Sequence, residues 1–462
     1  MTGSVPMDRS AAGDSLRRPS PHVVIIGGGA SGVLLAAHLL SRPGRDLRVT
    51  IVEGRNMLGC GVAYSTTDPD HLLNTRVHNM SAFSDRPHHF QDWLAEQGGF
   101  GAVTGQSFVS RATYGAYMAG LLRPWSQGED SRRLRCLRQT CIRVEETPRG
   151  ILAHLEDGQA VIGDLAVLAT GHVQPETRTT GALSGPWQPL DAVDPEARIV
   201  IIGSGLSMVD QVLSILKSGH RGEILSLSRR GQLPRAHTAT KPLSLLPGDI
   251  PLGASMSTLL AWARAQAARA EQQGGTWRDA VDGIRPHVRS IWRALPVAER
   301  ARFLRHAATW WDVHRHRMPP ASEAEIQRAL ASGQLVLQRA AFLGAELGGP
   351  QGRRLKLQPR GAEAPVTLDA ARVIDCRGIR RDPESHASPL MADLLARGHA
   401  RIDPLRVGLD VNGDCRVLDR AGTPSQRLYA IGPASRAAFW EITAIPDIRE
   451  QVAGLAAELA SF

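Results

Sequence analysis

Aromatic residues and cysteines are scarce in this chain: phenylalanine, tryptophan and tyrosine make up 5% of its 462 residues, and cysteines number five. An odd number of cysteines cannot pair completely, which excludes a scaffold built on disulfides and favours a reducing compartment. No leading signal peptide is recognised, so we expect a cytoplasmic protein. No basic tract is interleaved with aromatic residues, which argues against a nucleic-acid-binding protein.

Long uninterrupted apolar runs are absent as well. The most apolar stretch, Ile25–Leu40, is broken by glycines and is too short to span a bilayer, so we expect no membrane-spanning segment. The hydrophobic content of 42% and the charged content of 21% are typical of a globular protein, and the length suffices for two or three domains. The formal net charge of +9 suits an anionic cofactor or substrate. A GC-rich genome would also raise the arginine content without a functional cause.

A glycine-rich turn follows the first buried-strand pattern. Residues 23–32 have the sequence VVIIGGGASG, in which a β-branched run enters a G-x-G-x-x-G turn. Glycines there let backbone N–H groups approach a pyrophosphate, and the N-terminus of the next helix faces the anion. Glu53 ends the following strand at the spacing expected of a carboxylate that binds the adenosine ribose. We therefore predict FAD here, held by Gly27, Gly28, Gly29, Ala30, Ser31, Gly32 and Glu53.

A second fingerprint lies at residues 199–208, with the sequence IVIIGSGLSM. Met208 replaces the third small residue, so we expect helix and strand to sit slightly farther apart than in the first copy. The next strand ends in Arg229 and Arg230 without an acid, which favours the 2′-phosphate of NADPH over NADH. The alternative is that both arginines are only a solvated strand end. The residues predicted to bind NAD(P)H are Gly203, Ser204, Gly205, Leu206, Ser207, Arg229 and Arg230.

Two dinucleotide sites in one chain indicate electron transfer between a flavin and a nicotinamide. We predict an α/β fold with two Rossmann-like domains, in which a discontinuous FAD-binding domain surrounds the NAD(P)H-binding domain. The expected units are a disordered tail (1–20), a first FAD-binding segment (21–190), the NAD(P)H-binding domain (191–369) with a helical insertion (about 255–332), and a second FAD-binding segment (370–462). The sequence does not indicate an oligomeric state.

Further motifs carry a resemblance to a known family. They are Gly59–Tyr64, Pro234–His237, Trp311–Arg317, Phe439–Glu441 and Pro446–Gln451. With them the chain resembles the bacterial FAD/NAD(P)-binding proteins over roughly residues 21–460. This family is similar in architecture to class B flavin monooxygenases and, more distantly, to glutathione-reductase-like enzymes. Met208 and the absence of the class B F-x-G-x-x-x-H motif are departures from those enzymes.

The resemblance implies further cofactor contacts and an activity. A strand ending in Ala-Thr-Gly171 is typical of the crossing between the two domains, and the helix after Trp440 points at the flavin pyrimidine in such folds. Some family members are FAD-dependent urate hydroxylases, and flavin-dependent N-hydroxylases of amino acids are neighbours. We add to the predicted cofactor-binding residues Arg55, Gly61, Tyr64, Gly171, Gly432 and Trp440.

The cysteines do not favour a disulfide reductase. Cys136 and Cys141 lie far downstream of the FAD turn, on either side of a predicted strand, and Cys60 has no neighbouring partner. Without a redox-active pair, the reduced flavin is expected to react with oxygen, and one oxygen atom is transferred to an electron-rich substrate. The protein then supplies a dry pocket and orientation.

The catalytic candidates are few. Asn74 is a candidate donor to the flavin edge, His237 a candidate over the ring junction, and Arg317 a candidate for binding an anionic substrate. For each, an ordinary loop or helix-end role is the alternative. Arg315 and Arg235 are further candidates for the anion, and the arginines in the run His314–Arg317 oppose a metal site, so none is predicted.

We therefore expect an FAD-dependent NAD(P)H monooxygenase that acts on a small anionic substrate with molecular oxygen. Through the family resemblance, urate is the leading substrate, hydroxylated to 5-hydroxyisourate in purine degradation. The alternatives are a flavin-dependent amino-acid N-hydroxylase and a non-catalytic NAD(P)/FAD-binding sensor.

Overall fold

The computed structural model describes residues 20–43, 46–127, 129–171, 181–188, 193–378 and 383–461. Apart from Ser20, the predicted tail (1–20) lies outside the described residues. The strands are, in chain order, β1 (His22–Ile26), β2 (Arg48–Val52), β3 (Leu134–Leu137), β4 (Cys141–Thr147), β5 (Gly150–Leu155), β6 (Ala160–Gly163), β7 (Leu165–Leu168), β8 (Ile199–Ile202), β9 (Ile224–Ser228), β10 (Leu335–Leu347), β11 (Arg353–Pro359), β12 (Val366–Ala370), β13 (Arg372–Asp375), β14 (Arg416–Leu418) and β15 (Pro424–Ala430).

The α-helices lie between and after these strands. They are α1 (Ala30–Leu40), α2 (His89–Glu96), α3 (Arg111–Gly120), α4 (Leu206–Lys217), α5 (Met256–Gln272), α6 (Trp277–Ile284), α7 (Val288–Ala294), α8 (Val297–His306), α9 (Ala308–Arg315), α10 (Pro320–Ala331), α11 (Pro389–Arg397), α12 (Arg436–Phe439) and α13 (Ile445–Leu459). None of the helices in the described ranges is both long and apolar enough to cross a membrane.

The first sheet has the strand order β14-β15-β7-β1-β2-β3. Its central strand β1 pairs in parallel with β2 and β7. Parallel strands are covered on both faces, which explains the unbroken apolar run of β1. Helices α1 and α13 pack against each other in this region of the chain. The predicted Rossmann-like α/β unit around the first fingerprint is confirmed.

The second sheet has the order β12-β11-β10-β9-β8-β13, and its parallel portion is β10-β9-β8-β13. The sequence predicts that the strand near residue 372 starts the second segment of the FAD-binding domain. Instead, β13 pairs with β8, from Arg372 opposite Ile199 to Asp375 opposite Ile202. A separate three-stranded meander is formed by β4, β5 and β6.

Helices α5 to α9 form the insertion between β9 and β10, and α10 packs on α4 and β10 as the crossover helix of the second sheet. The sequence predicts single helical stretches at Trp277–Ala294 and Glu299–Arg315. The first is divided into α6 and α7 by a 3₁₀ turn that contains Pro286, since proline has no N–H to donate. The second is divided into α8 and α9 at Ala307.

The insertion packs on the segment before α13 through aromatic residues. The Trp292 indole stacks on Trp440 with ring centroids 4.8 Å apart, and Phe303 meets Trp440 edge-on at 5.2 Å. The Nε1–H of Trp292 donates to the carbonyl of Ala437 at 2.7 Å. Trp440 has a φ of +43°, which is unfavourable for a bulky residue and persists where surrounding contacts hold it.

We expect Trp292→Ala to lower the free energy of unfolding by about 3–5 kcal/mol, because it opens a cavity and removes a buried hydrogen bond. Urea denaturation followed by circular dichroism measures this loss. Trp310→Ala is the matched control, since Trp310 is 52% exposed. We expect that change to stay within about 0.5 kcal/mol. Equal losses in the two variants would show that the stacked pair does not hold the insertion.

Candidate functional site

The first fingerprint turns where two strands approach each other closely. Gly27 has a φ of +107°, and a side chain there would overlap the carbonyl oxygen of Ala169 just after β7. A side chain at Gly32 would overlap the carbonyl oxygen of Gly27. The first and third glycines are therefore required by the packing of β1, β7 and α1.

Gly29 is different, because a Cβ added there would make only ordinary van der Waals contacts. It is the N-cap of α1, and the atoms nearest to a Cβ at this position would be Gly61 Cα at 3.6 Å and the Arg55 guanidinium at 3.9 Å. Ala30 and Ser31 begin the helix. An anion beside Gly29 would meet the unpaired N–H groups of this helix end, as a pyrophosphate requires.

Glu53 lies where a ribose carboxylate is expected. Its side chain is buried and accepts hydrogen bonds from the Gly28 N–H at 2.8 Å and from Arg55 Nε at 3.0 Å. Burial opposes ionisation, but the hydrogen bonds from Arg55 and Gly28 outweigh it and hold the pKa of Glu53 below its usual value. The carboxylate is thus ionised and oriented at neutral pH.

A cleft of about 910 Å³ begins at this carboxylate. It passes Gly171, which has a φ of +71° and open space around it, and reaches Gly408 and Pro433. The neighbouring Gly432 packs so closely on Ser31 that a side chain would overlap the hydroxyl. A long cleft with a glycine-rich turn and an acid at one end fits FAD.

Two predicted cofactor residues pack against other aromatic residues. Tyr64 lies edge-on to Tyr114 at 4.8 Å, and burial raises the pKa of its hydroxyl to about 12. Trp440 is 3% exposed and packs on the insertion rather than lining the cleft. Their direct contact with a flavin stays a prediction.

The second fingerprint repeats the geometry of the first. Gly203 has a φ of +120°, and a side chain there would overlap the carbonyl oxygen of Cys376. Gly205 caps α4 and would have no neighbouring atom within 4 Å of an added Cβ, so an anion has room there as well. Ser204 Oγ donates to the carbonyl of Gln232 at 2.7 Å. Leu206 and Ser207 begin α4, and Met208 is fully buried.

The three catalytic candidates lie close together between the domains. His237 Nε2 donates to the backbone carbonyl of Asn74 at 3.0 Å, and its ring contacts Phe108 at 5.0 Å. Burial, with the charges of Arg317 and Arg76, lowers the pKa of His237 to about 4. Arg317 itself is 3% exposed and pairs with Asp282. The Asn74 side chain has no hydrogen-bond partner among the described residues.

A group of arginines, only two of them predicted from the sequence, surrounds these candidates. We call Arg76, Arg235, Arg278 and Arg317 the arginine group. Arg278 and Arg317 both lie over the Trp277 ring, at 4.4 and 5.8 Å. Burial and the neighbouring charges of Arg317 and Arg235 lower the pKa of Arg278, and Asp282 and Glu323 counter this. Among the described residues, carboxylates only partly balance this positive charge.

Arg315, another predicted anion ligand, faces away from this group. It is 7% exposed and pairs with Glu441 at 3.0 Å and with Asp447 at 3.7 Å. Burial disfavours the charged form of Glu441, but Arg315 and its other neighbours outweigh burial and lower the pKa. Arg315 therefore anchors the insertion to the start of α13.

The cysteines do not form a redox pair. Cys136 lies on β3 and Cys141 on β4, in different sheets, rather than on either side of one strand. All five cysteines are free, and burial raises the pKa of the Cys60 thiol. No group of three or more metal-binding side chains is found in the described ranges.

We expect Gly29→Leu to give a folded protein without bound flavin, since a Cβ is tolerated there but the larger side chain occupies the space beside the helix N-terminus that the pyrophosphate needs. Gly27→Ala is the contrasting variant. It should fail to fold, because its side chain would overlap a backbone carbonyl. Circular dichroism and the flavin absorbance bands of the purified proteins measure both properties. A yellow Gly29→Leu protein would contradict this placement of the pyrophosphate.

We also expect stability to fall at acid pH through His237. Its pKa is about 4 in the folded protein and about 6.5 when unfolded, so between these values only the unfolded state binds the proton. The free energy of unfolding should drop by up to about 3 kcal/mol as the pH falls from 6.5 to 4. In His237→Gln, which retains an N–H donor for the Asn74 carbonyl, this component of the pH dependence should be lost. Parallel pH profiles for the two proteins would contradict the assignment.

The comparisons with known proteins agree with this architecture. Residues 24–173 match the family model described as FAD-NAD(P)-binding. No curated protein sequence matches the chain. Among solved structures, the chain is similar to the FAD-bound cadaverine monooxygenase of Erwinia amylovora, with 13% identity, a TM-score of 0.67, and coverage of 95% of this chain and 94% of that chain.

Two further structures are similar over nearly their whole length. L-lysine 6-monooxygenase from Pseudomonas syringae is 16% identical, with a TM-score of 0.62 and coverage of 95% of this chain and 98% of that chain. Ornithine N-hydroxylase from Kutzneria sp. 744 is 14% identical, with a TM-score of 0.60 and coverage of 96% and 99%. The predicted α/β fold with two Rossmann-like domains agrees with these likenesses. The chain therefore contains an FAD/NAD(P)-binding domain and has the fold of flavoproteins with two dinucleotide-binding domains.

Proposed function

We propose that this protein is an FAD-dependent monooxygenase that uses NADPH to N-hydroxylate the side-chain amine of a small amino acid. The overall reaction converts R-NH₂, O₂, NADPH and H⁺ into R-NHOH, H₂O and NADP⁺. FAD, when bound, would accept the hydride and activate the oxygen. The chain would supply the two dinucleotide sites and a substrate site under the helical insertion.

The observation that carries this proposal is the arginine group beside Asn74 and His237. Arg317 is paired with Asp282, whereas the side chain of Arg235 is exposed and makes no hydrogen bond or ion pair among the described residues. Such a partly unbalanced group of positive charges suits a substrate carboxylate and repels a diamine. The structurally similar lysine and ornithine enzymes are named for substrates that carry both an amine and a carboxylate.

The neutral imidazole of His237 has a specific role in this proposal. Because a carbonyl oxygen only accepts hydrogen bonds, Nε2 carries the proton in its contact with Asn74, and Nδ1 is left as an acceptor. A neutral acceptor beside the arginine group can orient a substrate N–H without adding to the positive charge. The low pKa keeps this state over the whole physiological range.

Two other functions have less support. Urate, the substrate suggested by the family resemblance, is named in none of the similar proteins described above. A disulfide reductase would need a cysteine pair beside the flavin, and Cys60, near the first fingerprint, has its Sγ 3.6 Å from the carbonyl oxygen of Gly115 and no cysteine partner.

We expect oxygen-dependent NADPH oxidation to rise at least about tenfold with L-ornithine or L-lysine, and a hydroxylamine product to accumulate. Cadaverine and urate, run in parallel, should give much smaller effects. Absorbance of NADPH and a colorimetric hydroxylamine assay measure the two quantities. Urate-dependent oxidation with loss of urate absorbance would replace this proposal with the hydroxylation of a purine.

We further expect Arg235→Gln to raise the KM for the amino acid about tenfold, since a hydrogen bond to a charged group contributes about 1.5–3 kcal/mol. The kcat should change little. Arg328→Gln is the control, because Arg328 is exposed on α10 and pairs with Glu325 on the same helix. Unchanged KM values in both variants would remove Arg235 from the substrate site.

A further inference from the structure

Arg339 lies at the carboxyl ends of the parallel strands of the second sheet, and it belongs to none of the sequence motifs described above. In parallel α/β sheets ligands bind at the carboxyl ends of the strands, and the end of the second strand discriminates the 2′ position of the adenosine ribose. Here that strand is β9, and Ser228 at its end pairs with Arg339 of β10. Both residues therefore lie at the same edge of the sheet.

Arg339 lies directly on the turn that follows β9. The turn is closed by a hydrogen bond of 2.9 Å from the Gly231 N–H to Ser228 Oγ. Gly231 has a φ of +62°, and a Cβ added there would be 2.9 Å from Arg339 Cγ and 3.3 Å from its Nε. The absence of a side chain at position 231 thus makes room for Arg339, whose side chain remains exposed.

Arg230, by contrast, is directed toward the insertion. Its Nη2 donates to the carbonyl of Arg305 at the end of α8 at 2.9 Å, and its Nη1 is buried without a hydrogen-bond partner among the described residues. A guanidinium held in this way does not face an incoming nucleotide. Arg230 instead links the end of β9 to the substrate side of the molecule.

Arg229 and Arg339 are left as the exposed cations at this edge. Within the described ranges of the chain, neither side chain makes a hydrogen bond or an ion pair, and no carboxylate occupies the ribose position after β9. Two unpaired guanidinium groups next to a turn form a site for a phosphate dianion.

We propose that the 2′-phosphate of NADPH binds between Arg229 and Arg339, and that Arg230 is a positioning residue for the insertion. This proposal rests on the use of NADPH in the proposed function, but not on the substrate or the hydroxylation. It revises the sequence prediction, in which Arg229 and Arg230 form the phosphate site. The third strand of the second sheet then takes part in nucleotide selection.

The test is binding of 2′,5′-ADP and 5′-AMP to the FAD-loaded protein, measured by isothermal titration calorimetry. For Arg339→Gln and Arg229→Gln, we expect the Kd of 2′,5′-ADP to rise about tenfold each, and the Kd of 5′-AMP to stay the same. Arg328→Gln, on α10, is the charge-matched control and should bind both nucleotides like the wild type. Neither ligand is turned over, so this readout does not depend on the hydroxylase activity.

The Arg230→Gln variant separates the two roles. We expect it to bind 2′,5′-ADP with at most about a twofold change, but to unfold at a lower temperature because its link to Arg305 is lost. An unchanged Kd in Arg339→Gln, or a tenfold loss confined to Arg229→Gln and Arg230→Gln, would overturn the proposal. If 2′,5′-ADP binds as described but no amine is hydroxylated, the proposed function fails and this inference stands.

Discussion

At two crossings a fingerprint glycine packs directly against the carbonyl oxygen of a neighbouring strand. These two contacts determine where the strand ends and the anion-binding helix ends lie. Gly27 lies against the Ala169 carbonyl, and Gly203 lies against the Cys376 carbonyl, each with a positive φ. In both sheets this contact brings the end of one strand beside the start of a helix, and the open helix N-terminus at Gly29 or Gly205 becomes the natural place for a pyrophosphate. A clash at either crossing would displace the strand and the anion site together.

The insertion is positioned by contacts of a different kind. On the side of the FAD-binding domain, Trp292 stacks on Trp440, and the buried pair Arg315–Glu441 fixes the start of α13. A buried ion pair gains little net stability, because desolvation offsets the attraction. Its directional hydrogen bonds instead fix how the inserted helices meet α13, whereas the apolar stacking supplies most of the stability.

The sequence predicts those features of this molecule that depend on local pattern. Both fingerprints and Glu53 follow from glycine spacing and apolar runs, and the structure has a strand, a glycine turn and a helix at each fingerprint as expected. The position of β13 could not be predicted in this way, because an apolar strand does not encode its partner. The role of Arg230 and the nearness of Arg339 also depend on contacts across more than 70 residues.

The insertion contacts both dinucleotide-binding domains, and arginine side chains make several of these contacts. Arg230 reaches it from the end of β9, and Arg278 on α6 donates to the Ala236 carbonyl in the loop that also carries His237. That loop in turn is bonded to Asn74 of the FAD-binding domain. A shift of the insertion would therefore move Arg278 relative to the His237 loop and would also disturb the link from Arg230 to Arg305 at the end of β9. The proposed substrate site and the proposed nucleotide site thus both depend on the position of the insertion.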